Sequence, residues 1–85
     1  MKLIYETAIF KSYTNTNGFY IFKLGNNEDI IFKEIHPQML KKFNLKNDKR
    51  LINKRFCIKY TENSIGNQDD FIIYRIEYLV LMNSK

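Results

Sequence analysis

NGFYIFKLGNNEDIIFKEI, residues Asn17 to Ile35, holds two apolar runs, GFYIFKL and DIIFKEI, separated by Gly25-Asn26-Asn27-Glu28. A short polar loop with glycine and asparagine between β-forming runs is a hairpin signal, because both residue types tolerate the backbone angles of a tight reversal. Side chains alternate along a strand with period two. Tyr20, Phe22 and Leu24 therefore share one face and Phe19, Ile21 and Lys23 the other; in the second run Ile30 and Phe32 oppose Ile31 and Lys33. The first face is wholly apolar and belongs in a core. The second mixes Phe and Ile with lysines, a combination on which bases can stack and phosphates find cations. It is equally the look of a sheet surface covered by amphipathic lysines.

Working outward, residues 3 to 13, LIYETAIFKSY, are β-formers and read as a first strand, with either Ile4, Ala8 and Phe10 or Leu3, Tyr5 and Ile9 turned inward. Thr14 to Gly18 is a polar turn into the hairpin. At His36-Pro37 the period changes. Proline suits the first helical position, and Met39, Leu40 and Phe43 form one apolar stripe, which predicts a helix of two to three turns ending near Asn44 to Asn47 and plugging the end of a barrel. Residues 46 to 53 read as a basic connector anchored by Leu51 and Ile52. Lys54 to Glu62 alternates cleanly, with Phe56, Ile58 and Tyr60 inward and Arg55, Cys57, Lys59 and Thr61 outward. After a polar loop, Asn63 to Asp70, the last strand runs from Phe71 to Met82. Continuous alternation puts Ile72, Tyr74, Ile76, Tyr78, Val80 and Met82 inward, with Arg75 and Glu77 outward.

The 85 residues suffice for one domain, 1–85, and 45% hydrophobic residues with seven Phe and six Tyr are ample for its core. The single cysteine, Cys57, excludes an internal disulfide and a cysteine-based zinc site. A lone thiol, with no signal-like leader and no apolar run of membrane-spanning length, leads us to expect a cytoplasmic protein with no membrane partner. The net charge of +5 favours polyanionic partners, and its distribution is informative. Lys41, Lys42, Lys46, Lys49, Arg50, Lys54, Arg55 and Lys59 face one acid, Asp48, within a single segment. That is an electrostatic footprint of nucleic-acid binding, or a solvated lysine-rich connector.

Three strands, a short helix and two further strands is the element order of a five-stranded Greek-key β-barrel of OB type: all-β, with one short helix between strands three and four. The residues also resemble a family. NGFYIF is similar to the KGFGFI motif of cold-shock domains, EDIIFKEI resembles their DVFVHFSAI, and LINKRFCIKY resembles the strand after their central connector. The resemblance implies binding of single-stranded RNA or DNA on strands two and three. Carried across, the family's first stacking aromatic falls on Phe19; its next two fall on Ile21 and Ile31, and its histidine on Lys33. A first-strand tryptophan falls near Ser12, followed by Tyr13 where the family has Phe. Two stacking groups are thus aliphatic here, which shifts the expected weight to salt-sensitive phosphate contacts. The expected nucleic-acid surface comprises Phe19 for stacking, Lys23 and Lys33 for phosphates, Arg55 and Lys59 extending the track, and Lys11 and Tyr13 flanking it.

A protein partner or self-association is the alternative, with Phe19, Ile21, Ile31, Phe71 and Ile73 as an apolar patch. Catalysis is not expected. The one histidine, His36, stands where a helix cap belongs, the paired acids Glu28-Asp29 and Asp69-Asp70 lack further ligands at metal-binding spacing, and no glycine-rich phosphate loop occurs, so no cofactor or metal is expected. Cys57 has Arg55 and Lys59 beside it on the strand, which would favour a thiolate, though a small residue in a strand is the plainer reading. A small basic ribonuclease would fit the size and charge, but the element order counts against it.

Overall fold

A computed structural model of the chain describes residues 2–64 and 72–82. The strands are β1 (Lys2–Thr14), β2 (Phe19–Leu24), β3 (Asp29–Phe32), β4 (Glu34–Ile35), β5 (Arg55–Ser64) and β6 (Ile72–Leu81); one short helix, α1 (Pro37–Lys42), follows β4. All six strands belong to one curled sheet in the order β3-β2-β1-β5-β6-β4. Only Lys33 separates β3 from β4, yet β4 pairs parallel with β6 at the opposite end of the sheet, Glu34 beside Arg75 and Ile35 beside Ile76. The chain thus carries one end of the sheet round to the other, and the fold is a curled, barrel-like sheet with a single interior.

Both turns form as their residues require. Gly18 takes φ 69°, a left-handed conformation that costs a Cβ-free residue little, and its N–H donates to the Thr14 carbonyl at 2.7 Å. In the β2–β3 turn Asn27 takes φ 69°, and the Asn26 side chain accepts from the Glu28 N–H at 3.0 Å. The hairpin register then places Tyr20 opposite Phe32, Ile21 opposite Ile31 and Phe22 opposite Ile30.

Tyr20, Phe22, Ile30, Phe32, Phe56, Ile58 and Tyr60 are all buried, on the faces that alternation predicts. The facing of β1 resolves in favour of Ala8 and Phe10, which are buried, while Leu3 and Tyr5 are exposed. Phe22 organises the interior: Phe10, Phe32 and Phe56 lie 5.2, 5.6 and 6.0 Å from it between ring centroids, the last two edge-on. Edge-to-face geometry suits the ring quadrupole and adds about 0.5–1.5 kcal/mol per pair to the burial itself.

Three expectations are corrected. The helix has six residues rather than two to three turns. Its stripe is interrupted because Phe43 turns extended (φ −128°, ψ 117°) and packs edge-on to Phe56 at 5.3 Å; Leu45 behind it is buried, whereas the supposed anchor Ile52 is exposed. His36 caps the helix, its Nδ1 accepting from the Gln38 N–H at 3.2 Å, and buried Met39 closes the barrel end, its sulfur accepting from the Leu79 N–H at 3.2 Å.

The second correction is the facing of β6. Lys59 pairs with Tyr78 but Tyr60 pairs with Ile76, so Glu77 is an extra residue with no partner. A bulge of this kind inverts the facing of everything beyond it. Ile76, before the bulge, is buried as alternation predicts; beyond it Leu79 is buried and Tyr78, Val80 and Met82, expected inside, are exposed, and Ile72 at the strand start is exposed too. Third, the outward face of β5 is closed at Thr61, which is buried there, its hydroxyl donating to Glu77 Oε2 at 3.2 Å, which also receives Arg75 Nε at 3.0 Å. Asp69, Asp70 and Phe71 lie outside the described residues.

Candidate functional site

The outer face of the hairpin assembles three of the expected residues. Because Tyr20 faces Phe32, the next positions, Phe19 and Lys33, meet on the opposite side of the sheet, and Lys33 Nζ sits 5.6 Å from the Phe19 ring centroid. An exposed cation over a ring contributes about 0.5–1 kcal/mol, enough to favour this placement without fixing it. Ile21 and Ile31 are cross-strand partners on this face, and Ile31 is 42% exposed. Lys23 pairs with Asp29 across the hairpin at 3.6 Å, which offsets its charge.

This surface continues onto β1 and β5. Ile9 is opposite both Lys23 and Arg55, so those two cations flank it in one row, roughly 10 Å apart at the usual strand spacing. Lys11 is the extra residue of a second bulge, between Phe10 opposite Phe22 and Ser12 opposite Ile21; its Nζ donates to Asn53 Oδ1 at 2.8 Å. The same bulge turns Tyr13 to the inner side, against Tyr20 at 4.9 Å, with Lys46 Nζ 5.7 Å from its ring. Tyr13 is thus not brought beside Phe19. Lys59 lies four residues beyond Arg55 along β5, roughly 13 Å away. Among the described residues Lys11, Lys33, Arg55 and Lys59 form no ion pair.

Two exposed rings were missed by sequence reasoning. Tyr5 and Tyr78 are the cross-strand partners of Lys59 on either side, and they are 69% and 46% exposed. The first strand alone offered no way to choose its face, and uninterrupted alternation put Tyr78 inside. The available signal was a tyrosine in each flanking strand, which becomes readable only once the register is known.

A cleft of about 530 Å³ opens beside the hairpin, between Phe19, Ile31 and Lys33 on one side and Tyr60, Ile72 and Tyr74 on the other. Its phenols resist ionisation. Burial, reinforced by the charge of Glu6, pushes Tyr60 up to about 12, and burial together with Glu62 raises Tyr74. Away from the cleft, burial and neighbouring Tyr13 raise Tyr20. In the basic connector Asp48 is held below its ordinary value by hydrogen bonds from Arg50, whose Nε lies 3.0 Å away. The segment's one acid therefore neutralises one of its cations.

Among the described residues no three His, Cys, Asp or Glu side chains group as metal ligands would, and no helix is long and apolar enough to cross a membrane. Cys57 is exposed on the strand between Arg55 and Lys59. No protein-family model, curated protein or solved structure matches this chain.

Proposed function

We propose that this chain is an OB-type β-barrel that binds single-stranded RNA or DNA without catalysing a reaction on it. Support for the OB reading comes from counting β3 and β4 as one strand bent at Lys33. The five resulting strands then run first, second, third, fifth, fourth and back to first, with a parallel pair at the closure and the helix between strands three and four. The similarity of NGFYIF and EDIIFKEI to cold-shock motifs points the same way.

The observation that carries the functional reading is Lys33 Nζ 5.6 Å from the Phe19 ring on the outer sheet face. A base stacked on Phe19 leaves Lys33 beside its own phosphate, and Arg55 and Lys11 continue the cationic track over the sheet. Ile21 and Ile31 offer apolar contact without a π-face, so specificity is low and phosphate attraction dominates. The test is fluorescence anisotropy of labelled RNA and DNA 12-mers at two salt concentrations. About four phosphate contacts give a slope of log K against log salt near −3 on single strands. Phe19→Ala with Lys33→Ala lowers affinity in a chain that stays folded; unchanged affinity removes this face from consideration.

The pairing of Ile21 with Ile31 on the outer surface favours a second reading, an apolar contact with a protein or a second copy, formed by Phe19, Ile21, Ile31 and Ile73. Such a contact survives high salt, whereas a phosphate-dominated complex does not.

A further inference from the structure

The face formed by β1, β5 and β6 carries two exposed rings, Tyr5 and Tyr78, that the hairpin surface does not use, on either side of Lys59 at the end of its cationic track. Tyr5, Lys59 and Tyr78 form one cross-strand row, and Thr7, Cys57 and Val80 form the next. They line a groove of about 490 Å³. Each tyrosine has a cation at its ring: Lys59 Nζ is 5.8 Å from Tyr5, and Lys42 Nζ is 5.9 Å from Tyr78. Two strand spacings put the tyrosines roughly 10 Å apart.

A tyrosine ring is a large apolar face with a polar tip, the kind of side chain enriched where a surface binds a partner. Charge decides what covers this one. A second copy docked face to face about a twofold axis sets Lys59 and Lys42 of one chain against the same lysines of the other, on a chain of net charge +5. A ligand with flat π-faces and regularly spaced negative charge meets both features at once.

Resting on the function proposed above, we infer that Tyr5, Lys59 and Tyr78 form a second stacking platform for single-stranded nucleic acid, on the opposite half of the barrel from Phe19. Bases stack on the two rings, and Lys59 and Lys42 take the phosphates between and beside them. Nine steps along β1 lead from Thr14, the partner of Phe19, to Tyr5, roughly 30 Å of strand, so the two platforms serve different parts of one long strand.

The test measures anisotropy of labelled RNA and DNA 12-mers on the full chain, with Tyr5→Ala and Tyr78→Ala combined and, separately, Tyr5→Phe and Tyr78→Phe combined. Far-UV circular dichroism checks the fold; should the alanine variant unfold, Tyr5→Leu with Tyr78→Leu keeps the apolar bulk and removes the rings. The ring-less variant is expected to bind about 5- to 150-fold more weakly per lost stack, while the phenylalanine variant binds as the unaltered chain does. Comparison of the RNA and DNA arms identifies which strand the platform takes. If Phe19→Ala with Lys33→Ala weakens binding but loss of the tyrosines does not, this inference fails and the hairpin surface stands. If the unaltered chain binds neither 12-mer at low salt, the functional reading itself fails and takes the platform with it. A dimer in sedimentation that the tyrosine substitutions dissociate assigns the face to self-association and overturns the inference.

Discussion

Asp29 restrains one cation of the proposed surface, and removing its charge is expected to strengthen nucleic-acid binding. Lys23 Nζ and Asp29 Oδ1 are 3.6 Å apart, with both side chains solvent-accessible. Four other cations of the predicted surface, Lys11, Lys33, Arg55 and Lys59, form no ion pair among the described residues. At about 0.7 counterions per phosphate on a single strand, four contacts give a log–log salt slope near −2.8 and five give about −3.5. Asp29→Asn releases Lys23 as the fifth contact, steepening the slope by about 0.7. Extrapolated from roughly 1 M down to roughly 0.1 M salt, that is about a fivefold gain in affinity. The stability cost is small, since an exposed pair contributes at most about 1 kcal/mol. Anisotropy titrations across a salt series read both quantities. Lys23→Gln added to Asp29→Asn separates the released lysine from a general loss of negative charge: the double variant returns to about −2.8. Identical slopes and affinities for the unaltered chain and Asp29→Asn would refute the reasoning, because phosphates would then not approach Lys23.

Three further outcomes are expected. Phe32→Ala, at a fully buried position edge-on to Phe22 and Tyr60, should destabilise by about 3–5 kcal/mol in urea titration; under about 1 kcal/mol would mean that the interior repacks freely. Deleting Glu77 removes the bulge while leaving Ile76 opposite Tyr60, Tyr78 opposite Lys59 and Leu79 buried, and should cost less than the roughly 2–5 kcal/mol of a core leucine truncation; a loss as large as that in the same assay would mean that the bulge itself holds the strand in place. Tyr60 titrates at about 12 in the folded chain against about 10 unfolded. Its neutral form is favoured on folding, so its contribution is fully present below pH 10, is lost as pH rises through 12, and is on the order of 2–3 kcal/mol. Urea midpoints between pH 9 and 12 should fall less steeply for Tyr60→Phe than for the unaltered chain, and equal slopes would contradict the assignment.

The hairpin and β5 were legible because each needs only local information. Phe19 to Leu24, Asp29 to Phe32 and Arg55 to Tyr60 alternate without interruption, and Gly18 and Asn27 permit the turns. The meeting of Phe19 with Lys33 followed from the same alternation. Met39 and the His36 cap were readable for a similar reason, since a helix start is set by neighbours in sequence.

Tertiary structure alone decided the rest. A bulge belongs to a pair of strands, because it exists only where one has a residue more than its partner, so neither Lys11 nor Glu77 announces itself within its own strand. Those two residues set which way Tyr13, Tyr78 and Val80 point, and hence which aromatics reach solvent. The helix ends where Phe43 turns extended and packs its ring on Phe56, in a strand distant in sequence. By itself the sequence determined which residues alternate and where the chain reverses. The register between distant strands determined which face of β1 is inside and which tyrosines flank Lys59, because the buried side of a strand is defined by what packs against it.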